Sequence, residues 1–199
     1  MGFFSGNLSL KRFFIEETDF FKDKERVVAN LNNFVFKDIE SLPNEESVGW
    51  TSPLKVYKPS IEIEETFFGN YVLLALRHDV KKVSPLLVEC KVNEIIEKEG
   101  LSIQNNKQLK QLKEDIKKEL FKKTLPVPKV IEAVIDLNRK TLLLNSTSKK
   151  IAGLFLSIFE KTFSILPVYV DTSVFSYITV GKSGVEKLAS LTESVIYDE

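Results

Sequence analysis

One cysteine (Cys90), one histidine (His78), one tryptophan (Trp50) and one methionine stand among 199 residues. A single cysteine excludes an internal disulfide framework, and with a single histidine it leaves too few soft ligands for a structural zinc centre. No apolar run approaches about 18 residues, so no membrane-spanning helix and no membrane partner is expected. A glycine-rich phosphate loop, Cys/His metal spacing and a nucleophile elbow are all missing, so no cofactor, no metal and no catalytic residue is expected. Net charge is missing too: 28 Lys+Arg balance 28 Asp+Glu, and no overall field draws the chain to nucleic acid or a membrane surface. Ser5, Gly6 and Asn7 break the apolar N-terminus and Lys11-Arg12 follows, which argues against a signal peptide and for a cytoplasmic protein. The 43% hydrophobic and 28% charged content is that of a globular chain, neither disordered nor fibrous.

What is present is a segregation of charge. Residues 105–150 carry twelve basic and five acidic side chains, residues 1–70 eight and twelve, and residues 151–199 three and six. Screening acts over about 8 Å at physiological salt, so a local excess of seven positive charges acts where distant acids do not cancel it. The plain alternative is a solvated, lysine-rich helix.

Leu8 to Ile15 alternates loosely and reads as a first strand. Asp19 or Asp23 can cap a helix running to about Asn33, with Val27, Val28 and Leu31 on one face. Pro43, Gly49, Pro53 and Pro59 mark residues 41–60 as loop, with Trp50 a packing anchor within it. Ser60–Phe68 and Tyr71–Arg77 read as an antiparallel hairpin about the Gly69-Asn70 turn. Its acidic residues Glu62, Glu64 and Glu65 fall on both faces of such a strand, which favours a solvent-facing edge over a metal cluster. His78 follows a strand end next to Asp79, has no second ligand or serine beside it and reads as a surface or loop residue.

The clearest helix boundaries follow. Ser84 is placed to cap, Pro85 to take the first helical position and Gly100 to close the end. Leu87, Cys90 and Glu94 with Val88, Val92, Ile95 and Ile96 form its stripe, apolar with few interruptions, so Cys90 is expected to be a buried thiol. A second helix, about Asn106 to Lys123, places Leu109, Leu112, Ile116 and Leu120 on a narrow seam. Lys110, Lys113 and Lys117 follow that seam one residue later, about 100° round the helix. Glu114 alternates with Lys107 and Lys118 on the far side. The two helices read as a helical hairpin.

Val130–Asp136 and Thr141–Ser146 read as another β-hairpin around Leu137 to Lys140. Ser148 caps a helix with Ile151, Leu154, Phe155, Ile158, Phe159 and Phe163 at helical spacing, a core face. Pro167 ends that unit; Val168–Val180 reads as strand-rich and Gly184–Leu191 as a short helix before an acidic tail. The fold expected is α+β: antiparallel hairpins and sheet, packed helices, and a protruding helical hairpin. Its parts are an N-terminal core portion (1–75), the lysine-rich hairpin (76–128) and a C-terminal core portion (129–199).

A nuclease would need convergent carboxylates, commonly with a lysine. Glu132, Asp136 and Lys140 supply the residue types, but at helical spacing inside an expected strand, so an enzyme is not expected.

Several segments together resemble the RdgC family of recombination-associated DNA-binding proteins. GFFSGNLSLKRF is similar to its opening, although a Trp typical there is missing. Gly49-Trp50 with Pro53 resembles its GWxPP element, and Leu73-Leu74-Ala75-Leu76-Arg77 with Lys81-Lys82 and Pro85 its LLALR…KxLP stretch. Glu97-Lys98-Glu99-Gly100 followed by the lysine-rich helix keeps the family's order. Lys123 and Leu125 fall at its LLPRAF motif, Ile135-Asp136, Leu143-Leu144 and Ser148 at its ID…LVVD..S stretch, and Leu166-Pro167 at its LP. Arg139-Lys140 replaces the family's Asn-Gly turn, and family members extend further at the C-terminal end.

The resemblance implies a homodimer that closes around duplex DNA without sequence preference, a nucleoid association and interplay with the recombinase, with no nuclease activity required. On this reading Lys110, Lys113 and Lys117 contact phosphates, helped by Lys107, Lys118, Lys122 and Lys123. An alternative is an interaction protein of the same fold, whose Leu109/Leu112/Ile116/Leu120 seam buries a partner; a metal-dependent nuclease ranks last.

Overall fold

A computed structural model of the chain describes residues 3, 8–39, 45–58, 60–100 and 105–189. The structure is α+β. Among the described residues seven strands form one antiparallel sheet: β1 (Lys11–Phe14), β2 (Glu46–Thr51), β3 (Phe67–Phe68), β4 (Tyr71–Val80), β5 (Val127–Asp136), β6 (Thr141–Leu144) and β7 (Val168–Tyr169). The order across it is β2-β4-β5-β6-β1-β7, with β3 also on β4. The helices are α1 (Lys24–Asn33), α2 (Ile63–Thr66), α3 (Pro85–Glu99), α4 (Asn106–Lys123), α5 (Lys149–Phe163) and α6 (Thr172–Ala189).

Period-two alternation selects the core face. Val72, Leu74 and Leu76 of β4, Ile131, Ala133 and Ile135 of β5, and Leu142 and Leu144 of β6 all join one buried cluster. Val27 and Leu31 of α1 and Phe155, Phe159 and Phe163 of α5 cover it. Asp23 caps α1, accepting the Arg26 N–H at 3.1 Å, and Ser148 caps α5. The phenylalanines interlock with Trp50 at centroid distances of 5.4 Å (Phe155) and 6.3 Å (Phe163). Such pairs add about 0.5–1.5 kcal/mol each beyond the area they bury. Trp50 is therefore the anchor its context suggested.

It anchors a strand, however, not a loop. Residues 46–51 form β2, with Val48 and Trp50 facing the helices. Gly49, which reads as a turn, is there because Val35 and Phe36 run close beside β2 at this point, in a parallel bridge: Phe36 N–H donates to Trp50 O at 2.7 Å. A Cβ on Gly49 would overlap the Phe36 backbone and meet the Val35 carbonyl carbon at 2.8 Å.

Four further expectations change. Ser60–Phe68 is not one strand: Ile63–Thr66 is a helical turn and only Phe67–Phe68 pairs with β4 across the Gly69-Asn70 turn. That turn buries Glu65 against Lys55 (2.8 Å), so Glu65 is no solvent-facing acid. Residues 168–180 are mostly helical; Asp171 accepts the Val174 N–H at 2.8 Å and starts α6, which Gly181 (φ 72°) interrupts. His78 lies within β4, its ring 3.2 Å from Glu46. Pro43, Pro59, most of the GFFSGN opening, and the tail from residue 190 with the end of the expected 184–191 helix lie outside the described residues.

Candidate nucleic-acid interface

β4 and β5 pair from Tyr71↔Asp136 to Val80↔Val127, and the chain between them forms the α3–α4 hairpin. The hairpin leaves the sheet at the Val80/Val127 end of this pair, and α3 and α4 make few contacts with the strands. Pro85 at the first helical position and Gly100 in the left-handed conformation (φ 60°) bound α3, while the Asn105 side chain accepts the Lys107 N–H at 3.1 Å to start α4. Ser84 stands at the cap position without a side-chain bond.

α3 and α4 pack mainly on one another. Val92 and Ile116 are buried, with Val88, Ile95, Ile96, Leu109, Leu112 and Leu120 half-buried around them. The α4 seam is thus occupied within the chain, so it is not the partner-binding surface of the interaction-protein reading. One packed stripe per helix is all that a two-helix hairpin can bury. Cys90 lies two residues, about 200°, from Val92 and is exposed, contrary to the buried thiol expected. Leu86 and Leu87 are exposed for the same reason.

The seven α4 lysines do not share one face. Lys110, Lys113 and Lys117 come together along the flank beside the first half of α3, spaced over about 10 Å. They line a cleft of about 380 Å³ with Val83, Pro85, Val88, Glu89 and Glu114. Neither Glu89 nor Glu114 reaches a lysine within ion-pair distance, and among the described residues Lys110 and Lys113 form no ion pair. Lys117 Nζ lies 3.3 Å from Glu45 Oε1. Lys107 and Lys118 point outward, roughly opposite the seam, and Lys122 lies further round, all exposed.

Lys123 belongs to the other flank, where charges cancel. It meets Glu119 at 2.5 Å, and its ammonium, then Lys91 beyond, holds the Glu119 carboxyl below its ordinary range. Glu94 sits between Lys91 and Lys98, 2.6 Å from each, and is pulled down to about 2. Among the described residues the Lys110/Lys113 flank thus carries ammonium groups without an ion pair, and the Lys91/Lys123 flank carries neutralised pairs.

The residue types considered for a nuclease do not converge. Glu132 and Asp136 share a face of β5 but stand four residues, about 13 Å, apart. Glu132 accepts the Phe3 N–H at 3.2 Å, Asp136 accepts the N–H groups of Asn138 and Arg139 at 3.0 Å each, and Lys140 donates to the Glu16 carbonyl. Asp136 thereby builds the turn in which Arg139-Lys140 stands, with Lys140 at φ 52°. Among the described residues no three His, Cys, Asp or Glu side chains group so as to hold a metal ion, and no helix is long and apolar enough to cross a membrane.

No curated protein matches the chain. A family model described as "Putative exonuclease, RdgC" matches residues 7–176, from just before β1 into the beginning of α6. That span holds the entire sheet, the Gly49-Trp50 contact with Val35 and Phe36, the inserted hairpin and the phenylalanine-rich α5, and on this match the chain belongs to the RdgC family.

Proposed function

We propose that the chain binds duplex DNA without regard to sequence, through the α3–α4 hairpin, and modulates recombination or replication by encircling or coating DNA as a homodimer. The observation that carries this reading is the exposed, unpaired state of Lys110 and Lys113 in line with Lys117 on a projecting element. Ammonium groups so placed can each neutralise a phosphate and release its counterion, giving affinity that falls with salt and carries no base readout. α4 holds seven lysines and no arginine, and asparagine only at its first position, which suits backbone contact better than reading base edges. Interplay with the recombinase follows from competition for the same DNA.

The test is a salt titration of binding to a fluorescent 30-base-pair duplex and to its single strand. Micromolar or tighter duplex affinity that falls linearly in log salt, equal across unrelated sequences, supports the reading. Absence of binding at low salt overturns it in favour of an interaction protein of the same fold. Shortening of linear duplex in Mg²⁺ or Mn²⁺ would instead favour the nuclease.

A further inference from the structure

We propose that Glu45 acts as an intramolecular stand-in for a phosphate, holding Lys117 at the root of the hairpin until nucleic acid displaces it. This rests on the duplex-binding reading and concerns the regulation of that same surface.

Glu45 directly precedes β2, and its backbone carbonyl accepts the Lys81 N–H at 2.9 Å. The acid is thereby fixed where the chain leaves β4 for α3. Its carboxylate reaches Lys117, the member of the aligned lysine trio that has an ion pair. Glu45 also lines, with Glu46, Lys81 and Lys82, a cleft of about 660 Å³ beneath the hairpin. Glu46 is engaged with His78 at 3.2 Å, which leaves Glu45 as the carboxylate facing the cations. α4 is tied back to the sheet by the Glu45–Lys117 pair and by the Lys81 ammonium 5.5 Å from the Phe121 ring centroid.

Both partners are more than half exposed, 55% for the Lys117 side chain and 66% for Glu45. Such a pair is easily exchanged, and its removal shifts affinity by about twofold to fivefold. The exchange also has an ionic signature. When a phosphate takes Lys117, the Glu45–Lys117 attraction is lost at the same moment, which offsets part of the gain. Without the Glu45 charge that offset disappears, and because salt screens an exposed pair the difference is largest at low salt.

The experiment compares the full chain with Glu45→Gln, Lys117→Gln and the double variant, on the 30-base-pair duplex over a salt series. Circular dichroism checks that each is folded; Gln at position 45 keeps the backbone bond to Lys81. Glu45→Gln is expected to bind about twofold to fivefold more tightly at low salt, with the gain shrinking as salt screens the pair. In the Lys117→Gln background the Glu45 substitution is expected to change neither affinity nor its salt dependence. An unchanged Glu45→Gln, or a gain that persists without Lys117, overturns the proposal while a binding wild type keeps the duplex reading. If neither wild type nor Glu45→Gln binds at low salt, the duplex reading falls and this one with it.

Discussion

The indole N–H of Trp50 donates to the hydroxyl of Thr162 at 2.7 Å, across 112 positions of sequence. Thr162 in turn donates to the Ile158 carbonyl at 2.8 Å. One hydroxyl therefore satisfies the polar atom of a fully buried ring and ties β2 to α5. Thr162→Val keeps the shape and leaves that N–H unpaired, at an expected cost of about 1–3 kcal/mol. Urea unfolding, followed by the fluorescence of the single tryptophan, measures it. Thr179→Val removes a hydroxyl bonded to the Phe175 carbonyl on an exposed helix face and is expected to change stability by less than about 0.5 kcal/mol; equal effects at both sites would refute the special role of Thr162.

Two glycines make a second pair of opposites. Gly49→Ala drives a methyl into the neighbouring Val35–Phe36 backbone and is expected to destabilise by about 1–3 kcal/mol or more. Gly153, mid-helix on α5, has nothing within 4 Å of the place a methyl would take, and is expected to gain about 0.5–1 kcal/mol as Ala. Thermal midpoints should move in opposite directions. A stable Gly49→Ala would mean that the 34–36 segment does not lie against β2.

Acid should loosen the 51–66 region. The Lys55 ammonium, first, and the Ser52 hydroxyl hold the Glu65 carboxyl below its ordinary 4.5. A carboxyl with a depressed folded value contributes stability that is complete above the unfolded value and is lost as pH falls through the folded one. Unfolding midpoints should therefore fall from about pH 5 downward, and Glu65→Gln should flatten that fall. An unchanged pH profile in Glu65→Gln would show that the buried pair does not couple to folding.

For DNA binding, the two flanks of the hairpin give a directional prediction. Lys110→Glu with Lys113→Glu should weaken duplex binding equally over unrelated sequences and flatten the log-salt slope by about 1.8. Lys123→Gln, on the flank where Glu119 already neutralises it, should change the slope by much less. A larger effect at Lys123 than at Lys110 and Lys113 would place the contact on the wrong flank.

The parts of this architecture legible in the sequence are those carried by strong local rules. The Pro85/Gly100 boundaries, the α4 seam, the Asp23 and Ser148 caps and the β5–β6 hairpin each depend on neighbours within a few positions. What escaped depends on distant chain. Gly49 reads as a turn because the backbone that requires it to be small lies at Val35 and Phe36. Residues 172–180 are rich in β-formers, yet Asp171 caps them into a helix, a signal that was present and outweighed by composition. Cys90 sits on an apolar stripe, and only the lack of a third helix on the hairpin decides that its side of α3 stays wet. For the candidate interface, helix phase gathered Lys110, Lys113 and Lys117, but not which flank the acids neutralise, nor that Glu45, 72 residues away, reaches Lys117.

The insertion of the hairpin between Val80 and Val127 has a consequence for how the molecule assembles. Pairing β4 with β5 must first bring together the two ends of a 46-residue segment, residues 81–126. Closure entropy rises only slowly with length, by about 0.6 kcal/mol per doubling, but it must be met before any rung of the ladder repays it. α3 and α4, joined by a short connection, can zip together first and present their two ends side by side. The surface proposed to meet DNA would then also serve as the clamp that sets the central ladder of the sheet in register, linking the speed of folding to the same seam that holds the lysines in place.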